Sequence, residues 1–144
     1  MESFRNIHIG NCINRRIKET ETDISRLCNF FKLPETVIQE MLVQESIDSE
    51  FLLKWSKVLD YDFFRLYSQH LILYSPPTSS EYQVKIKNKK YTSPQFKKSL
   101  YTREIIDFIL EQLTSREKTE QQIISDYKIP KSTLHRWKIK YKKI

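Results

Sequence analysis

The chain has 144 residues, with 25 Lys and Arg against 18 Asp and Glu, and its formal net charge is +7. A mean hydropathy of −0.59 and the lack of a long apolar run exclude a membrane-spanning helix. The amino terminus lacks a secretory pattern, so we expect no export. Cys12 and Cys28 fall in apolar helical patterns, which indicates reduced thiols in a cytoplasmic protein.

Glycine is almost missing from the sequence. Only Gly10 is present, where average usage would give roughly ten. Phosphate-binding loops, tight turns between strands and helices, and type I′ hairpins all depend on glycine. The composition therefore predicts an all-α fold of helices joined by short polar turns.

Charge divides the chain into two parts. Residues 1–75 have a net charge of −2, and residues 76–144 have +9. The segment at 75–80 (SPPTSS) has linker composition, since proline cannot continue a helix. We predict two small helical modules, an acidic one over 1–75 and a helix-turn-helix module over 101–144. A basic linker or arm rich in Pro, Ser and Lys, 76–100, joins them, with one short strand over 81–86.

Apolar residues recur at helical spacing four times in the first module, and each set marks one face of an amphipathic helix. The expected caps are Thr22 for the second helix and Asp48 or Ser49 for the fourth, while the third follows Pro34. The aromatic-rich segment 61–74 suits either core or a dimerisation surface, so a homodimer is one expectation. The four sets are Ile9, Ile13 and Ile17; Ile24, Leu27, Cys28 and Phe31; Val37, Ile38, Met41 and Leu42; and Leu52, Trp55, Val58 and Leu59.

Three further helices are predicted in the last module. The first begins near Thr102 and carries Ile105, Ile106, Ile109 and Leu113. A capping box of Thr119 and Gln122 opens the second, with Ile123, Ile124 and Tyr127. After a short break, the last helix places Leu134, Trp137 and Tyr141 on its inner face. Three helices with a break before the third are typical of a helix-turn-helix.

The sequence also contains a degenerate internal repeat. Residues 32–41 (KLPETVIQEM) align without a gap with residues 128–137 (KIPKSTLHRW). Upstream, Leu27, Cys28 and Phe31 coincide with Ile123, Ile124 and Tyr127. Each copy is therefore interpreted as a turn followed by a helix in the position of a recognition helix.

Outward positions distinguish the two copies. The first offers Glu35, Thr36, Gln39 and Glu40, whose carboxylates repel phosphate, whereas the second offers cations that bind it. We therefore expect the second copy to enter the major groove of double-stranded DNA, with linker lysines on the backbone or in the minor groove. The alternative is a solvated linker and tail. The predicted DNA-binding residues are Lys131, Ser132, Thr133, His135, Arg136, Lys138, Lys140, Lys142 and Lys143, with Lys85, Lys87, Lys89 and Lys90 in the basic segment 85–98.

Residues 123–137 (IISDYKIPKSTLHRW) resemble the helix-turn-helix of transposase-associated proteins, the small DNA-binding subunits of insertion sequences. The likeness covers about residues 102–143, and its specific part is STLHRW at 132–137. Residues 7–67 are similar, more distantly, to a Cro/repressor-type helical domain. The resemblance implies a nucleoid-associated protein that binds terminal inverted repeats or regulates transcription, in a family whose members often dimerise.

The usual helix-turn-helix pattern has alanine where Ile124 stands and glycine where Lys128 stands. A non-glycine residue in a left-handed turn costs on the order of 1 kcal/mol, so we expect a longer or differently shaped turn. The chain also has too little length for a transposase catalytic domain with its mixed sheet and metal-binding carboxylates. We therefore expect DNA recognition without catalysis.

Two alternative functions remain open. Arg65 and His70 form an R-x4-H string similar to that of the HEPN ribonucleases, in which Arg binds phosphate and His acts as acid or base. The same string fits two ordinary side chains near the end of a helix. A protein-interaction regulator of the antitoxin type is the other alternative.

Sites for metals and cofactors are not expected. The set His8, Cys12, Cys28 and His70 lacks the paired spacing of zinc ligands, and buried thiols explain its cysteines better. No glycine-rich phosphate loop or hydrolase motif occurs. We expect no cofactor, metal, small-molecule ligand or membrane partner.

Overall fold

The computed structural model of the chain describes residues 4–75, 90, 92–94 and 101–141. These residues form eight α-helices and no strand, which confirms the all-α fold class; the strand predicted over 81–86 lies outside them. None of the described helices is both long and apolar enough to cross a bilayer. The helices are α1 Ile9–Glu19, α2 Ile24–Phe31, α3 Glu35–Leu42, α4 Ser49–Val58, α5 Phe64–Tyr74, α6 Arg103–Thr114, α7 Glu120–Tyr127 and α8 Lys131–Tyr141.

The chain divides into two compact units, Met1–Ser68 and Gln69–Ile144. The division falls within α5, whereas the sequence placed it before Pro76. The side chain of Gln69 is only 4% exposed, and its Nε2 donates a hydrogen bond to Thr102 Oγ1 at 2.8 Å. Thr102, which caps α6, thus also holds the end of α5. The second unit therefore contains the end of α5 in addition to α6, α7 and α8.

The first unit buries the apolar stripes that the sequence predicts. α1 packs on α3, and α2 packs on both α3 and α4. The ring of Phe31 lies 4.5 Å from that of Trp55, centroid to centroid, and half-buried Cys12 and Cys28 pack against this core. The largest fully buried side chains among the described residues of this unit are Ile9, Ile13, Leu27, Ile38, Trp55 and Phe63.

Gly10 lies where the start of α1 meets the backbone that follows α3. The N–H groups of Ile9 and Gly10 donate to the carbonyls of Glu45 and Gln44, each at 3.1 Å. A Cβ atom on residue 10 would lie 2.7 Å from the Gln44 carbonyl oxygen. Because a backbone atom cannot swing aside as a flexible side chain can, this close approach requires glycine.

The helix caps agree with the sequence except at α2. Asp48 caps α4, as predicted, and Thr102, near which the sequence placed the start of α6, caps that helix. The capping box of α7 has both of its bonds: the Gln122 N–H donates to Thr119 Oγ1 at 3.3 Å, and the Thr119 N–H donates to Gln122 Oε1 at 2.9 Å. These bonds satisfy two donors that a helix start otherwise leaves unpaired.

The prediction that Thr22 caps α2 was wrong. Asp23 is the cap, and its Oδ1 accepts from the Ser25 N–H at 3.5 Å. The hydroxyl of Thr22 instead pairs with that of Thr20 at 2.7 Å. Asp and Thr are both good capping residues, so sequence preference alone did not decide between neighbours.

The second unit has a small core of its own, to which α6, α7 and α8 all contribute. Tyr127 Oη donates to Gln112 Oε1 at 3.0 Å, so the buried phenol is satisfied. The ring of Tyr101 packs edge-on against Trp137 with centroids 4.9 Å apart. Its fully buried side chains include Ile105, Ile109, Ile123, Ile129 and Leu134.

Several corners between helices use left-handed backbone without glycine. Within the described residues, every such corner is occupied by a charged side chain. This conformation costs residues other than glycine roughly 1–2 kcal/mol each. The positions are Glu21, Lys32, Asp60, Arg116 and Lys128, with φ between 48° and 60°.

Candidate nucleic-acid interface

The two copies of the repeat have the same local geometry. Residues 32–34 connect α2 to α3, and residues 128–130 connect α7 to α8. Lys32 has φ 55° and ψ 41°, and Lys128 has φ 52° and ψ 38°. The expectation of a longer or differently shaped turn was therefore wrong, because lysine itself adopts the left-handed conformation in both.

Burial at the turn explains how this strain is tolerated. Tyr127 and Ile129, on either side of Lys128, are only 5% and 1% exposed. Burying side chains of this size contributes roughly 1.5–3 kcal/mol each, more than the turn costs. Equivalent core positions of the two copies are also buried alike, in the pairs Leu27 and Ile123, Phe31 and Tyr127, Ile38 and Leu134, and Met41 and Trp137.

α8 separates its residue types by face. Leu134 and Trp137 are 1% and 7% exposed, and half-buried Tyr141 lies beneath the Arg103 guanidinium at 4.2 Å. The helix contains no Asp or Glu. The outward face of α8 is defined by its exposed residues and by half-buried Thr133. Its members are Lys131, Ser132, Thr133, His135, Arg136, Ile139 and Lys140.

Among the predicted DNA contacts on this helix, Lys138 is already engaged within its own unit. Its ammonium donates to the carboxylate of Glu120, the first residue of α7. The hydrogen bond from Lys138 holds the pKa of Glu120 below its ordinary value of 4.5, and the charges of Lys131 and His135 lower it further. Glu120 thus lies beside α8 and offsets part of its positive charge.

The other predicted cations are distributed unevenly over the described residues. Lys131, Arg136 and Lys140 are exposed on α8, and Lys90 is described and exposed in the linker. The remaining lysines lie outside the described residues: Lys85, Lys87, Lys89, Lys97, Lys98, Lys142 and Lys143. The candidate surface is therefore the outward face of α8.

The equivalent face of α3 has the opposite charge. Glu35 occupies the position of Lys131, and Glu40 that of Arg136. These two residues, with Thr36, Gln39 and Val43, line a shallow open depression. The two copies share a backbone geometry, but only the second combines it with side chains that suit phosphate.

Sequence reasoning missed Ile139. This side chain is 70% exposed, and it follows Arg136 by three positions and Ser132 by seven, which places it on the same side of the helix, in the C-terminal half of the outward face. Its equivalent in the first copy, Val43, is 75% exposed. The signal was available in the sequence, because a helix that buries Leu134, Trp137 and Tyr141 must turn residue 139 outward.

The residues of the alternative functions have ordinary local partners. Arg65 Nε lies 3.8 Å from Asp62 Oδ2, and the ring of His70 lies 5.0 Å from that of Tyr74. His8 caps α1, where its Nδ1 accepts from the Asn11 N–H at 3.2 Å. In the part of the chain that the structure describes, no three His, Cys, Asp or Glu residues gather as a metal site.

The chain matches no protein-family model, no curated protein and no solved structure.

Proposed function

We propose that this protein binds double-stranded DNA sequence-specifically through the helix-turn-helix of α7 and α8, with α8 in the major groove. The observation that carries the proposal is the segregation of α8, which buries Leu134 and Trp137 and leaves cationic and polar side chains in solvent. A major groove about 12 Å wide admits one α-helix with its side chains. The face that meets the groove contains no carboxylate of α8 itself.

Each outward side chain has a role that follows from its chemistry and place. Arg136, in the middle of the face, donates bidentately to O6 and N7 of a guanine, the commonest specific contact of arginine. Ser132 and His135 contact base edges beside it, and Thr133 contacts base or phosphate. Lys131 and Lys140 neutralise phosphates and fix the register of the helix.

At the level of the whole protein, the proposal is a transcriptional regulator or a transposase-related recognition protein without a catalytic domain. The STLHRW run at 132–137 supports this class through its resemblance to transposase-associated proteins. The acidic first unit serves assembly, and a homodimer would present two α8 helices to half-sites about one helical turn apart. Such a protein acts at the nucleoid in the cytoplasm.

Selection of random duplexes by the full chain at physiological salt tests the proposal. One motif should be enriched. Arg136→Ala should weaken binding to that motif by ~1–3 kcal/mol and relax the preference at one base pair. Lys140→Ala should weaken all duplexes alike and reduce the slope of log K against log salt by about 1.

Lys57→Ala is the matched control, because Lys57 is an exposed helical lysine of the first unit. It should leave affinity, sequence preference and salt slope unchanged. Failure to enrich any motif would refute sequence-specific binding. Identical behaviour of Arg136→Ala, Lys140→Ala and the control would refute the role of α8.

A further inference from the structure

Ile139 is an aliphatic side chain in the C-terminal half of a surface that is otherwise polar and cationic. It is 70% exposed, while its neighbours on the outward face are Ser132, His135, Arg136 and Lys140. None of the groups that phosphate contacts require is present on an isoleucine. Inside a polar, negatively charged groove, the group that suits this side chain is an apolar one.

The floor of the major groove has one such group, the 5-methyl of thymine. Apolar side chains distinguish thymine from other bases by packing against it. The thymine methyl is also absent from the minor groove, where A·T and T·A pairs look alike. The chemistry of Ile139 therefore matches the same groove that the arginine and lysines of α8 suit.

Helix geometry places the contact relative to Arg136. Three residues advance an α-helix by about 4.5 Å along its axis, and base pairs are spaced about 3.4 Å apart. Ile139 therefore faces a base pair one or two steps from the one that Arg136 contacts.

We propose that Ile139 is a specificity-determining residue that packs against the 5-methyl group of a thymine one or two base pairs from the guanine bound by Arg136. This inference rests on the proposed function of α8. The inference adds to the proposed function the identity of one base at one position, which the cations of α8 do not determine.

Deoxyuridine provides the test, because it differs from thymidine only by the missing methyl group and pairs identically. Each thymine of the selected duplex is replaced in turn, and the affinity of the full chain is measured. At one position within two base pairs of the Arg136-dependent guanine, we expect about a three- to five-fold loss, the contribution of one buried methyl. Elsewhere the replacement should have little effect.

Variants identify the side chain responsible. Ile139→Ala should bind the thymine and deoxyuridine duplexes equally, while Ile139→Val should retain the discrimination. Because residue 139 is exposed and alanine is the better helix former, circular dichroism should show an intact fold. Val43→Ala, the equivalent exposed position in the first copy, should discriminate as the unaltered chain does.

The outcomes separate this inference from the proposed function. If a motif is selected but no thymine is sensitive, or if the sensitivity persists in Ile139→Ala, the inference is overturned and DNA binding stands. If Ile139→Ala changes only the oligomeric state in sedimentation, the side chain is a protein contact and the inference is likewise overturned. If no duplex is enriched, both fail.

Discussion

At Gly10, two effects of opposite sign compete, and their magnitudes decide the result of adding one methyl group. Alanine in place of glycine normally stabilises a helix by roughly 0.5–1 kcal/mol. Here the new Cβ would lie 2.7 Å from the Gln44 carbonyl oxygen, and overpacking of this kind costs roughly 1–3 kcal/mol. We expect Gly10→Ala to lower the free energy of unfolding of the first unit by ~1–2 kcal/mol.

Urea denaturation followed by the fluorescence of Trp55, in a Trp137→Phe background, measures this change in the first unit alone. Asn11→Ala, at the exposed neighbouring position of α1, should leave stability unchanged or raise it slightly. A Gly10→Ala protein more stable than its parent would contradict the close backbone approach.

The ion pair of Glu120 and Lys138 makes a prediction about pH. The pKa of Glu120 lies below 4.5 in the folded protein because Lys138 favours the carboxylate. Its contribution to stability is therefore present above the pKa of the unfolded chain and disappears as the pH falls through the lower folded value. In an NMR titration, Lys138→Ala should raise the midpoint of Glu120 toward 4.5.

Lys140→Ala serves as the control for this titration, since it removes a lysine of α8 that is not bonded to Glu120. The midpoint of Glu120 should respond far less to it than to Lys138→Ala. Added salt should weaken the shift, because both partners are accessible to solvent. Equal midpoints in all three proteins would rule out the ion pair in solution.

At the scale of the element, two helix caps of the same residue type differ in what else they bind. Thr119 satisfies the start of α7 alone, so Thr119→Ala should cost about 1 kcal/mol. Thr102 caps α6 and also accepts from the buried Gln69 amide. Thr102→Ala should cost ~2–4 kcal/mol, because it additionally leaves that amide without a partner.

Thermal unfolding of the full chain compares the two variants. Thr102→Ser keeps the hydroxyl and should restore most of the loss, which a mere change of side-chain volume would not predict. Equal destabilisation by Thr102→Ala and Thr119→Ala would show that the bond to Gln69 adds nothing.

Individual helices could be predicted from the sequence because the patterns that indicate them are local. The spacing of apolar residues identifies the buried face of α8, and Thr119 with Gln122 identifies the start of α7, within a few residues of chain. The pairing of Glu120 with Lys138 and that of Gln69 with Thr102 join different helices. No local pattern encodes such contacts, so the neutralised lysine of α8 and the true start of the second unit came only from the structure.

At the scale of the whole molecule, the division within α5 changes how a fragment should be made. A fragment of residues 76–144 lacks the buried Gln69 and Leu73, which is only 2% exposed. Burial of a leucine contributes roughly 1.5–3 kcal/mol, to which the bond to Thr102 adds. We expect residues 69–144 to be more stable than residues 76–144 by at least ~2 kcal/mol.

Urea titration of the two fragments by circular dichroism measures the difference. A variant of the longer fragment with Gln69→Ala and Leu73→Ala is the matched control, and it should approach the stability of the shorter one. Equal midpoints for the two unaltered fragments would show that the boundary between the units lies at Pro76, as the linker composition predicts.

Because its left-handed turn positions hold residues other than glycine, this chain can be stabilised against heat by substitution at these positions. Lys32 and Lys128 occupy the same place in the two turns, and neither lies on the outward face of α8. Glycine there would relieve backbone strain of roughly 1–2 kcal/mol against a partly offsetting gain in unfolded-state entropy. A protein engineer seeking a heat-tolerant version would begin at these two positions, which lie outside the face proposed to contact DNA.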